Sequence, residues 1–257
     1  MIDDMKKILL FALPLMVMCF ASCEKDKGND ENSGQKLVKE ISWTEDDYQE
    51  QFMFEYDENA RVINVTEIVD GNAEGQYSVS YNGNTITEKY LFRNYETGEW
   101  EEDGITCYYL NNDGYLIKSE SIRNGEVTMY TMYEYAGNQL KSVANYDADG
   151  TKWNPSFEYE WQNDDIRYEY QSGSPYPNKY EYTDAENKLN ISFCNPVIVS
   201  EYSYLKFKGT GSRHLTSGYG NDSQWNNRTY EFDTDGYPTK IRDIDEYRTM
   251  EYNIKYY

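Results

Sequence analysis

The chain has 257 residues, with 46 Asp or Glu against 24 Lys or Arg and a formal net charge of −22. So acidic a balance, without clustered Lys and Arg, excludes nucleic acid as a partner, because neutralising phosphates needs concentrated positive charge. Hydrophobic residues make up only 39%, so a core requires burial of the aromatics, and Tyr supplies 28 of these against 9 Phe and 5 Trp. Tyr packs its ring while its hydroxyl tolerates water, which suits a sheet that is wet on one side.

The N-terminus reads as an address. Lys6 and Lys7 precede an apolar run from Ile8 to Phe20 that is too short for a stable transmembrane helix and ends in small residues, the pattern of a secretory signal. Residues 1–22 are therefore expected to be a signal peptide. The run closes on Ala21-Ser22-Cys23, which resembles the lipobox of bacterial lipoproteins and makes Cys23 the lipid-bearing residue. An ordinary secreted protein cut nearby is the alternative. Residues 23–36 read as a disordered acidic tether, since no aliphatic or aromatic residue occurs between Glu24 and Gln35. An acidic stretch after the lipidated cysteine is similar to the export signals of Bacteroidota lipoproteins. The expected location is thus the cell envelope, with a lipid anchor in the outer membrane and the body on its periplasmic or external side. Cys107 and Cys194 lie in apolar or aromatic surroundings and read as buried free thiols, one disulfide being the alternative.

From residue 37 to 257 one phrase recurs: aromatic, polar, aromatic, then an Asx/Gly turn, then an aliphatic return. It begins at Phe54, Tyr108, Tyr133, Tyr159, Tyr180 and Tyr230, with Tyr77, Val79 and Tyr81 leading into a further Asn82-Gly83 turn. Each copy predicts a β-hairpin, and side-by-side copies predict a single antiparallel meander. After Phe54 and Tyr56 the return strand changes phase at Val62 and Val65, which predicts a bulge at its start. The last alternation, Tyr252-Asn-Ile254-Lys-Tyr256, is expected to be a paired strand.

Residues 192–228 interrupt the repeat. The run from Pro196 to Phe207 is ambiguous between a short helix and a long strand. Gly209, Gly211, Gly218 and Gly220 surround the chain's one His, His214. Such a segment either caps a barrel mouth as a binding loop or plugs the interior with Leu205, Phe207 and Leu215. For the first case the candidate binding residues are Arg213 and His214 as donors and Tyr219 and Trp225 as flat apolar surfaces.

The lipobox, the reiterated hairpins, the Tyr182-Thr-Asp184…Asn187-Lys-Leu-Asn190-Ile191 run and the Gly211-Ser-Arg-His-Leu215 loop resemble Bacteroidota lipoproteins of the family called domain of unknown function 4595. The resemblance runs from about Leu37 to Tyr257 and implies a porin-like fold: an all-β antiparallel meander curling into an open or closed barrel. It implies no activity and no site residues. Glu, Lys, Thr and Asn alternate with the aromatics, as in Tyr133-Glu-Tyr135 and Tyr159-Glu-Trp161, so the barrel is expected not to span a membrane.

Asp147-Ala-Asp149-Gly150 and Asp233-Thr-Asp235-Gly236 carry the alternating carboxylates of calcium loops but lack the completing Glu and helix, so they read as hairpin turns and no metal or cofactor is expected. Trp100, Trp153 and Trp225 stand in polar, turn-rich settings and are the candidates for a carbohydrate platform. No nucleophile, base or metal motif accompanies His214, so no enzyme is expected. The function expected is a non-catalytic envelope binding module for a glycan or an envelope protein. A structural or assembly lipoprotein without ligand is the alternative, and a carboxylate-dependent glycan hydrolase is a third reading.

Overall fold

In the computed structural model the described residues are 34–45, 48–153, 155–192 and 204–257. Cys23, the signal run, most of the tether, Cys194 and the stretch from Pro196 to Ser203 lie outside them. Every hairpin phrase but one folds as a strand pair; the copy at Tyr180 pairs not with its expected return at Leu189 and Ile191, which are buried outside any strand, but with a strand that begins at His214. In the first half the strands are β1 (Val38–Glu45), β2 (Tyr48–Tyr56), β3 (Val62–Val69), β4 (Asn72–Asn82), β5 (Thr85–Arg93), β6 (Trp100–Leu110), β7 (Leu116–Arg123) and β8 (Glu126–Ala136). The second half comprises β9 (Gln139–Asp147), β10 (Phe157–Gln162), β11 (Asp165–Gln171), β12 (Asn178–Glu186), β13 (His214–Asn221), β14 (Gln224–Phe232), β15 (Pro238–Ile244) and β16 (Thr249–Tyr256). Each strand pairs antiparallel with its sequence neighbours, and β1 closes on β16 through pairs such as Ile41 with Ile254 and Trp43 with Tyr252. The meander is a closed barrel, and its last strand is paired on both sides.

The alternation of the sequence decides what faces inward. Phe54, Tyr77, Tyr108, Tyr133, Tyr159 and Tyr180, one from each even-numbered strand from β2 to β12, are all buried. The intervening positions face outward and carry ion pairs such as Lys118–Glu120 at 2.6 Å, Lys240–Glu251 at 2.7 Å and Lys255–Glu40 at 2.6 Å. Exposed Ile63, Ile117 and Met132 are scattered among these polar residues. Cys107 is a free thiol on this outer wall, half-buried between Thr87 and Glu120 rather than in the core, because it alternates out of phase with buried Tyr108.

The bulge expected after Tyr56 is present: Glu55 pairs with Asn64 but Tyr56 with Val62. Equivalent register shifts follow at the starts of β7, β9, β11 and β15. The Asp-x-Asp-Gly segments are turns. The Asp233 carboxylate accepts the N–H groups of Asp235 and Tyr237, both at 2.9 Å, and Gly236 takes a φ of 77° that a side chain would strain.

The described residues of the connection from β12 to β13 pack into one end of the barrel. Leu189, Ile191, Tyr204, Leu205 and Phe207 are buried. The Tyr204 ring lies 5.2 to 5.4 Å from Phe52, Phe54 and Tyr77, and Phe207 lies 5.2 Å from Tyr108. Polar bonds fasten the segment to the surrounding turns. Val38 N–H donates to Asn190 Oδ1 at 3.0 Å, Leu140 N–H to the Gly209 carbonyl at 2.9 Å, and Arg213 N–H to the Asp164 carbonyl at 3.1 Å. Of the residues that carried the family resemblance, Asn190 and Ser212 are among these fasteners, and Asn187 N–H donates to the Arg213 carbonyl within the segment itself. Of the two expectations for this loop, the plug is the one realised. Gly218 and Gly220 belong to a regular hairpin, β13–β14, and not to a loop, because glycines at alternate positions still permit a ladder.

Candidate functional site

Toward the end opposite the plug, the inner face changes character. Glu50, Glu67, Asn145 and Met250 continue the inward alternation but are only half-buried. Burial pushes the carboxyls of Glu50 and Glu67 up, and for Glu67 the charges of Glu50 and Glu74 add to the effect. Glu88 lies deeper. Its Oε1 accepts the Tyr108 hydroxyl at 3.3 Å, its Oε2 is buried without a hydrogen-bond partner, and burial raises its pKa to about 7. On the far wall the Arg228 guanidinium is buried, pairs with Asp243 and lies 5.0 Å over the Tyr219 ring, whose hydroxyl also donates to Asp243 at 2.9 Å. Among the described residues no group of His, Cys, Asp and Glu is placed to hold a metal ion.

The outer wall at the same end carries a concave site. Strand β13 presents only glycine outward at positions 218 and 220, so β12 and β14 stand as the walls of a trough. The Trp225 indole lies on this floor: a Cβ at Gly218 would come within 2.7 Å of its ring. Asn221 at the end of β13, Asp222 from the β13–β14 turn, Tyr176 and Pro177 from the β11–β12 turn, and Tyr168, Lys179 and Glu181 from β11 and β12 complete a groove of 560 Å³. That volume falls within the roughly 300–1,000 Å³ typical of small-molecule sites. Tyr176 is 59% exposed, so an aromatic face is offered to solvent. Lys179 Nζ lies 3.0 Å from Glu181 Oε1 and 5.8 Å from the centre of the Trp225 ring. The Asn221 side-chain oxygen accepts from Ser223, which fixes the turn, while its amide donates to Asn178.

The four candidate residues do not share one site. Arg213 is exposed at the plugged end, 3.1 Å from Glu186. His214 opens β13, with its backbone N–H and its Nδ1 each 2.8 Å from the Asp165 carboxylate. Tyr219 faces inward on Arg228, and only Trp225 lines the groove. Trp100 and Trp153 are each 44% exposed but lie outside it. Sequence reasoning missed Tyr168, Tyr176, Lys179 and Glu181. Tyr176-Pro177 following Ser172-Gly173-Ser174-Pro175 was the available signal, an aromatic set in a turn with nothing to pack against.

Solved structures match this barrel over most of its length. A porin-like protein from Bacteroides uniformis superposes with a TM-score of 0.66 at 15% identity, covering 86% of this chain and 96% of that one. A porin-like protein from Bacteroides vulgatus gives a TM-score of 0.59 at 15% identity, covering 86% and 99%. The fold is porin-like. No family model and no curated protein matches the sequence. At this identity the likeness concerns the barrel architecture alone.

Proposed function

We propose that the protein is a non-catalytic binding lipoprotein of the bacterial cell envelope, anchored to the outer membrane through Cys23, similar to the domain of unknown function 4595 family, and not itself membrane-spanning. The ion-paired outer wall supports the last point, since a spanning barrel needs an apolar band there. The observation that carries the binding reading is the aromatic and polar groove beside Trp225. At the plugged end Lys36 bonds to Asp233 and Gln35 to the Lys188 carbonyl.

A ligand-free structural lipoprotein is the second reading, favoured by the plug, whose Tyr204, Leu205 and Phe207 are buried against the inner wall. Glycan-array and envelope pull-down experiments with the parent and a Tyr176→Ala, Trp225→Ala variant separate the two. Binding lost at unchanged melting temperature supports the groove, whereas identical profiles for parent and variant favour the structural reading.

A further inference from the structure

The groove's chemistry is specific enough to name a ligand class, an inference that rests on the binding reading above. Its floor is a flat indole held down on Gly218, with Tyr176 and Tyr168 beside it. Such faces stack against the C–H surface of a sugar ring and also against cations. Around them stand an ammonium, two carboxylates and an amide, from Lys179, Glu181, Asp222 and Asn221. These groups both donate to and accept from neighbouring hydroxyls.

Charge narrows the choice. A polyanion meets Glu181 and Asp222 on a chain of net charge −22, against the single ammonium of Lys179. A cation meets the opposite obstacle, because Lys179 Nζ already stands 5.8 Å from the Trp225 ring centre, in the place a cationic ligand would take. An acyl chain buries the Lys179–Glu181 pair, Asn221 and Asp222 against hydrocarbon that offers them no hydrogen bond. A neutral polyhydroxyl ligand satisfies all of these conditions together.

We propose that the groove walled by β12 and β14 binds a neutral pyranose glycan, stacked on Trp225 and Tyr176 and hydrogen-bonded by the Lys179–Glu181 pair, Asn221 and Asp222.

The test titrates the full-length protein and the Trp225→Ala, Tyr176→Ala and Lys179→Met variants with neutral gluco-, manno- and galacto-oligosaccharides, with a polyuronate and with a Lys-rich peptide. Calorimetry and tryptophan fluorescence are the readouts. Saturable binding of a neutral oligosaccharide that survives added salt, and weakens about tenfold or more in Trp225→Ala at unchanged melting temperature, is the expected result. Binding of only the polyuronate or only the peptide, still dependent on Trp225, overturns the neutral class but keeps the groove as a binding site. Trp225-dependent capture of an envelope protein with all sugars silent does the same. Silence of every probe together with Trp225-independent pull-downs overturns both readings.

Discussion

The Tyr182 hydroxyl donates to the main-chain carbonyl of Ile166 on the preceding strand at 2.6 Å. The relationship recurs around the barrel. Tyr56 reaches Val38, Tyr81 reaches Val62, Trp161 reaches Leu140, Tyr230 reaches Thr216 and Tyr256 reaches Pro238, at 2.6 to 2.9 Å. Each acceptor sits at a register shift, where the ladder slips. In these six cases an aromatic on the following strand therefore satisfies a carbonyl at the bulge, where the ladder slips. The β4–β5 hairpin has no register shift, and the corresponding position on β6 is Leu110, which has no donor. Tyr135 departs from the pattern, its hydroxyl being buried without a partner.

Removing one such donor leaves a carbonyl unsatisfied. Tyr182→Phe also loses the 2.8 Å contact with Ser212, which holds the plug. It is expected to destabilise the barrel by about 1–3 kcal/mol in denaturant titrations. Tyr135→Phe removes only an unpartnered hydroxyl and is expected to be neutral or stabilising, so equal losses in the two variants argue against this account.

Stability should fall as pH rises through the range of Glu88. Its folded pKa of about 7 lies above the ordinary 4.5, so the folded state holds the proton more tightly. Its contribution is most favourable below the unfolded pKa and is lost as pH climbs toward the folded one. Glu88→Gln keeps the hydrogen bond to Tyr108 without the buried charge. At about pH 8 it should exceed the parent in stability by about 1–3 kcal/mol, and at about pH 4 the difference should vanish. Glu50, Glu67 and Glu169 shift in the same direction through burial, whereas Asp233, lowered by its bond to Lys36, works oppositely and loses its contribution as pH falls.

The plug should be structural. Phe207→Ala empties a buried site against Tyr108 and is expected to cost roughly 3–5 kcal/mol. Arg213→Ala removes an exposed ion pair to Glu186 and should cost under about 1 kcal/mol. Thermal melts of the two variants check the contrast.

Deleting Met250 to Tyr257 removes β16, which pairs with both β1 and β15. Two long edges open together, so aggregation or loss of cooperative unfolding is expected. A truncated protein with unchanged melting and solubility contradicts the role of this closure.

The anchor is checked by fractionation. Cys23→Ala should move the protein from the membrane to the soluble fraction, since the lipid is its proposed attachment; a variant that stays as membrane-bound as the parent contradicts lipidation.

Much of the barrel was legible in the residues. The period-two alternation of Phe52, Phe54 and Tyr56, the Asx/Gly turns and the phase change at Val62 specify strands, hairpins and a bulge through local rules that require no distant partner. Closure was not legible, because the pairing of Ile41 with Ile254 joins the two ends of the sheet and depends on accumulated twist and tilt, not on any local signal. The groove was hidden for a related reason. Tyr219 and Trp225 look alike as aromatics near glycines, yet Tyr219 pairs opposite Asn226 with its ring inward, while Trp225, one position out of phase, turns outward over Gly218. Tyr176 and Lys179 reach the same trough from another hairpin. Local sequence determined which residues alternate; only the closed sheet decided which strand's outer face would be bare glycine and what would gather around it.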